Sequence, residues 1–119
     1  MKYARLYTGP DGETHFEDLE MVFEGRGGGG ELSSAIPVKA VQYQRSMGPM
    51  QAQDWHTAPR RQFILQISAS TEREVSDGEV RRFGPGTLIL VEDLTGKGHV
   101  TRGIDDGGER LMLFMHVAE

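Results

Sequence analysis

The chain has no cysteine. That absence excludes disulfides, thiolate metal sites and cysteine nucleophiles at once. It also lacks any apolar run approaching the ~18 residues that suggest a membrane-crossing helix. Its first residues, Met-Lys-Tyr-Ala-Arg, carry no apolar stretch of the kind a secretory signal needs. We therefore expect no membrane partner and a cytoplasmic location. Positive charge is in short supply: 13 basic residues stand against 18 acidic ones, for a formal net charge of -5. The basic residues are scattered, and the pair Arg60 and Arg61 is too short to track a phosphate backbone. No nucleic-acid partner is expected on that basis. No long amphipathic helical period is visible anywhere in the chain.

What the chain does have is turns. Sixteen of its 119 residues are glycine, in a composition that is otherwise ordinary for a folded domain. This length supports one domain and one core, burying roughly two-thirds of the unfolded surface. Strand candidates cover residues 2–7, 14–23, 38–45, 62–70, 72–75, 79–83, 87–91, 100–103 and 111–117. The clearest alternation is in 62–70, where Phe63, Leu65 and Ile67 face one way and Gln62, Ile64 and Gln66 the other. Turn signals separate the candidates: Gly9 to Gly12 with Pro10, Ser76-Asp77-Gly78, and Gly84-Pro85-Gly86. The segments 47–54 and 105–109 are irregular. The glycine run Gly27 to Gly30 reads as a flexible loop, because a phosphate-cradling loop needs a following helix and Pro37 argues against one. About eight to ten short strands at this spacing predict an all-β sandwich or barrel.

The string Asp54-Trp55-His56-Thr57-Ala58-Pro59-Arg60-Arg61-Gln62 opens a stretch, residues 55–102, that resembles a cupin core, and it corresponds to the first cupin motif. Phe83-Gly84-Pro85-Gly86, followed by Gly96-Lys97-Gly98-His99, corresponds to the second, with the Asp77-Gly78 hairpin between them. The resemblance implies an all-β fold, a cupin-type antiparallel β-barrel (double-stranded β-helix or jelly roll). A single cupin-like domain would span 1–119, with its core motifs at approximately 54–103 and N-terminal strands at approximately 2–45. Metal-binding cupins hold their ion with three His and one Glu. Here His56 takes the first His position and His99 the last, Ala58 stands at the second, and Gln62 stands at the Glu position. The resemblance thus implies His56, Gln62 and His99 as ligands of a divalent transition metal (Zn, Fe, Ni or Mn), with water completing the shell. The alternative is a polar lumen in which both imidazoles bond to neighbours.

Substrate-binding candidates lie beside these positions. A guanidinium at Arg60 suits a carboxylate in bidentate fashion, Trp55 is placed to stack on a ligand at the barrel mouth, and Gln66 shares a strand face with Gln62. For Trp55 a core or dimer-surface role is the competing reading, and for Arg60 and Arg61 a solvated pair. One of Glu92 and Asp93 faces inward by alternation from Leu90, giving either an acid–base partner for an imidazole or a turn-capping carboxylate; the second is the expectation. His15 has no clear face, and His116 reads as a satisfied or exposed strand residue. Two functions follow from the resemblance. One is a small enzyme, metal-dependent and isomerase- or dioxygenase-like, acting on a small polar or carboxylate-bearing molecule. The other is a non-catalytic barrel that binds or senses a small molecule with a degraded metal site. Cupins commonly dimerise, so a homodimer is expected.

Overall fold

A computed structural model describes residues 1–25, 27–47, 54–104 and 108–118. Most of the expected irregular segments at 47–54 and 105–109 lie outside them. Among the described residues there is no helix, hence none long and apolar enough to cross a membrane. The chain runs through β1 (Lys2–Thr8), β2 (Thr14–Glu20), β3 (Glu24–Gly25), β4 (Glu31–Leu32), β5 (Val38–Met47) and β6 (Gln62–Ser68). It continues through β7 (Ser70–Val75), β8 (Val80–Phe83), β9 (Leu88–Val91), β10 (His99–Ile104) and β11 (Glu109–Val117).

The strands form a six-stranded sheet in the order β2-β1-β9-β6-β11-β5, a three-stranded sheet β10-β7-β8, and the small hairpin β3-β4. Alternation decides the faces, because successive side chains of a strand point to opposite sides. Ala4, Leu6 and Phe16 from β1 and β2, Ile64, Ile89, Val91 and Met112 from the strands beside them, and Val75 and Phe83 from the smaller sheet make one core. The two sheets therefore pack face to face. On the opposite side of the six-stranded sheet, Phe63, Leu88 and Leu90 cluster with Tyr3, Leu65, Met115 and Val117.

Three expectations change. The ladders do not close into a barrel: β2 and β5 end the larger sheet and β10 and β8 the smaller, with His56 and His99 forming an isolated bridge. The sheet is also not wholly antiparallel, because β1 enters beside β9 running in the same direction. And the stretch read as one strand over 62–70 breaks at Ala69, which takes a positive φ of 59° as the chain passes from one sheet to the other. The glycine run is the turn of the β3–β4 hairpin. Gly27, Gly28 and Gly29 all have positive φ, a conformation that a side chain there would strain.

Candidate functional site

The site begins at Gly98, one residue before β10. Its φ is 78°, and a Cβ there would collide with the His56 carbonyl. Only glycine lets the two backbones come this close. The approach is fastened by a reciprocal pair: His56 N–H donates to His99 O at 3.1 Å and His99 N–H donates to His56 O at 2.9 Å. The two imidazoles then lie side by side, their centroids 4.6 Å apart and their planes tilted by 52°.

Each ring is oriented through its Nδ1. His56 Nδ1 is 2.9 Å from the Asp54 carbonyl oxygen, which can only accept, so this nitrogen carries the proton. His99 Nδ1 lies 2.6 Å from Asp93 Oδ2. Asp93 is fully buried, and its backbone oxygen also accepts from Ala58 N–H at 2.9 Å, tying the His56 loop to the end of β9. Donation from Nδ1 to the Asp93 carboxylate leaves the His99 Nε2 lone pair for a ligand.

Both rings line a cavity of about 320 Å³ between the sheets. It is lined by Ile64, Val91 and Met112 of the larger sheet, by Arg73 and Thr101 of the smaller one, and by Gln42, Gln44, Arg60 and Gln62. His56, Gln42 and Gln44 are exposed and mark the mouth, whereas His99, Arg73 and Thr101 are buried. Arg60 Nη1 donates to Gln62 Oε1 at 3.4 Å and sits equally far from His116 Nε2. His116 Nε2 is also 3.0 Å from Gln42 Oε1. Burial, reinforced by the charges of Arg60 and Lys39, holds the His116 pKa below the usual imidazole value.

His56, Gln62, His99 and Arg60 are thus brought together as the sequence suggested. Trp55 and Gln66 are not. Trp55 follows the alternation away from His56 and lines a separate cavity with Ser76 and Lys97. Gln66 is buried but spent on the sheet crossing: Thr71 Oγ1 donates to its Oε1 at 3.2 Å, and its Nε2 donates to Ser68 O at 3.0 Å. Arg61 turns outward, where it and Arg5 hold Glu92. Burial pushes the Glu92 pKa up, but hydrogen bonds from Arg5 and Arg61 outweigh it and keep the carboxylate below its ordinary range. Asp93, expected to cap a turn, instead faces His99. His15 lies outside the cavity, bonded to Asp77 and Asp11 at 2.7 and 3.1 Å. Arg73 and Thr101 are the lining residues sequence reasoning missed, whereas Asp93 was open there between an acid–base partner and a turn cap. Counting by twos from Val75 would have placed Arg73 on the inward face.

The donor set does not fit a divalent cation well. Two neutral imidazoles leave the ion's charge uncompensated, and the Gln62 oxygen already faces the Arg60 guanidinium. A second guanidinium, Arg73, lines the same cavity. Among the described residues no group of three His, Cys, Asp or Glu side chains is arranged to hold a metal ion. The Asp93–His99 pair does have the form that orients metal-bound imidazoles, but a single carboxylate-backed imidazole is short of the three protein ligands usual at catalytic zinc.

No protein-family model matches the chain, and no curated protein matches it. Among solved structures it is similar to protein NMB1881 from Neisseria meningitidis, at 13% identity over 83% of each chain with a TM-score of 0.45. The resemblance to cupins therefore stands on the motif residues alone.

Proposed function

We propose that the chain is a small cupin-type protein whose cavity takes up a small polar or carboxylate-bearing molecule, and that His99 moves a proton on it. One observation carries this reading: the buried 2.6 Å contact between His99 Nδ1 and Asp93, with the imidazole on the cavity wall. An imidazole backed by a carboxylate is held in one tautomer and stabilised when it accepts a proton. Such a pair suits isomerase-type chemistry, in which a proton is removed and returned within one molecule. The adjoining His56, also with its Nδ1 engaged, supplies a second nitrogen at the mouth. The metal-dependent and dioxygenase-like forms of the reading lose support from the neutral donor set.

The test is saturation-transfer NMR in deuterated water against a library of small polar metabolites. We expect a binder that shifts the His99 ring signals and takes up solvent deuterium with wild type, while His99→Ala and Asp93→Asn bind it without exchange. Binders that leave His99 unmoved and map to the outer sheet face would overturn the proposal. A binder that moves His99 and never exchanges would favour the second reading, a non-catalytic small-molecule binding domain, which the unmatched metal-ligand positions at Ala58 and Gln62 also support.

We further propose a homodimer. Its support is the long edge strand β5, whose outward residues Val41, Tyr43 and Met47 are 51%, 68% and 71% exposed beside the apolar cluster of Phe63 and Met115.

A further inference from the structure

Arg73 is the group in this molecule whose chemistry is least used. β7 carries it inward between Thr71 and Val75, and it is only 4% exposed. Of its five N–H donors, Nη1 reaches Thr101 Oγ1 at 3.1 Å and Nη2 reaches only the Met112 thioether at 3.9 Å. The Nε group is buried without a partner. Burial pushes the guanidinium down to about 10, Asp93 opposing this through space without forming an ion pair with it. The group is still a cation at neutral pH. A buried cation without a counter-ion is strongly unfavourable, and this one lines an open cavity.

Resting on the reading of this cavity as a ligand site, we propose that Arg73 anchors the carboxylate of a compact monocarboxylic acid. Three observations converge on that class. The first is donor capacity: Nε lacks a partner and Nη2 has only a thioether, and a guanidinium fork matches two carboxylate oxygens. Then there is charge, since two guanidiniums, Arg60 and Arg73, against the one carboxylate of Asp93 leave a single positive charge. A monoanion neutralises it. The immediate contacts also matter: the Arg73 guanidinium meets one hydroxyl, Thr101, and the Met112 thioether, a setting that adds few donors at that point for the oxygens of a phosphate.

Placement then says what the rest of the acid meets. Thr101 lies opposite Arg73 across the β7–β10 ladder. His99 precedes Thr101 by two residues on the same face, about 7 Å along the strand. An acid seated on Arg73 therefore directs its second polar group toward the His99 imidazole. A cavity of about 320 Å³ admits only a short molecule.

The experiment uses the whole chain labelled with 15N-arginine and three probes: pyruvate, its neutral analogue pyruvamide, and inorganic phosphate. We expect pyruvate to shift the Arg73 Nε–H signal in wild type, and Arg73→Met to weaken pyruvate binding by roughly tenfold to a hundredfold, the loss of a charge-assisted hydrogen bond. Arg73→Lys should fall between them, and phosphate should bind more weakly than pyruvate. Pyruvate bound equally by wild type and Arg73→Met, or an Nε–H signal unmoved by every probe, overturns the anchor. So does phosphate binding in preference to pyruvate. Pyruvamide separates the two claims: if it still moves His99 when the anchor fails, the ligand site stands, and if nothing moves His99, both fall. The wild-type spectrum decides the matter even if Arg73→Met does not fold.

Discussion

At Gly98 a single hydrogen stands where any side chain would strike the His56 carbonyl. Gly98→Ala combines that collision with a left-handed backbone, and we expect it to destabilise by about 1–3 kcal/mol, read from urea midpoints at unchanged slope. A change confined to a few tenths would mean the two backbones separate freely. Arg73 gives the opposite sign. Removing a buried, unpaired cation in favour of an apolar chain of similar reach is expected to stabilise the ligand-free protein by about 1–4 kcal/mol, so Arg73→Met should melt higher than wild type. Ligand affinity and apo stability would then move in opposite directions at one residue. The metal question belongs to this scale too. With only neutral donors and two guanidiniums nearby, we expect well under one equivalent of transition metal in protein purified without added ions. Elemental analysis finding one tightly held equivalent would reverse that judgement. His56, Gln62, His99 and Arg60 were legible because motif spacing marks them. Asp93 was legible only as one of a pair with Glu92, because strand phase decides which neighbour faces inward, and Arg73 becomes legible only once Val75 is known to be buried.

The elements were more legible than their junctions. Period-two alternation in β6 and the turn chemistry around Asp77-Gly78 identify strands and hairpin directly from local sequence. The break at Ala69 carries no such signal: the residue is not glycine, and its positive φ is imposed by the change of sheet and held by the Gln66–Thr71 bond. Likewise nothing local says that β1 lies beside β9, a pairing between strands more than eighty residues apart. Another tie joins the β1–β2 hairpin to the β7–β8 turn. His15, on β2, is bonded to Asp11 and Asp77, and these bonds raise its pKa above the ordinary imidazole value. A raised folded-state pKa contributes stability that is complete below the unfolded value and fades as pH rises through the folded one. Between about pH 6 and about pH 8, wild type should therefore lose more stability than His15→Gln. Parallel curves over that window would show that the charge on His15 does not support the junction.

On the scale of the whole molecule, the all-β class followed from turn spacing, while the openness of the two sheets did not, because closure depends on ladder ends that local patterns leave unmarked. The exposed β5 edge bears on assembly. Tyr43→Lys should shift a dimer to monomer in light scattering at micromolar concentration, without changing the melting of the isolated chain. Wild type running as a strict monomer would dispose of the dimer. The isolated His56–His99 bridge has a further consequence. Its two amide protons are bonded to each other's carbonyls, so neither can meet solvent unless the strap between the sheets opens, and one opening releases both. In hydrogen exchange they should behave as a single clock. A molecule wedged beneath them would slow both by the same factor, and that factor would measure how firmly the cavity is held shut.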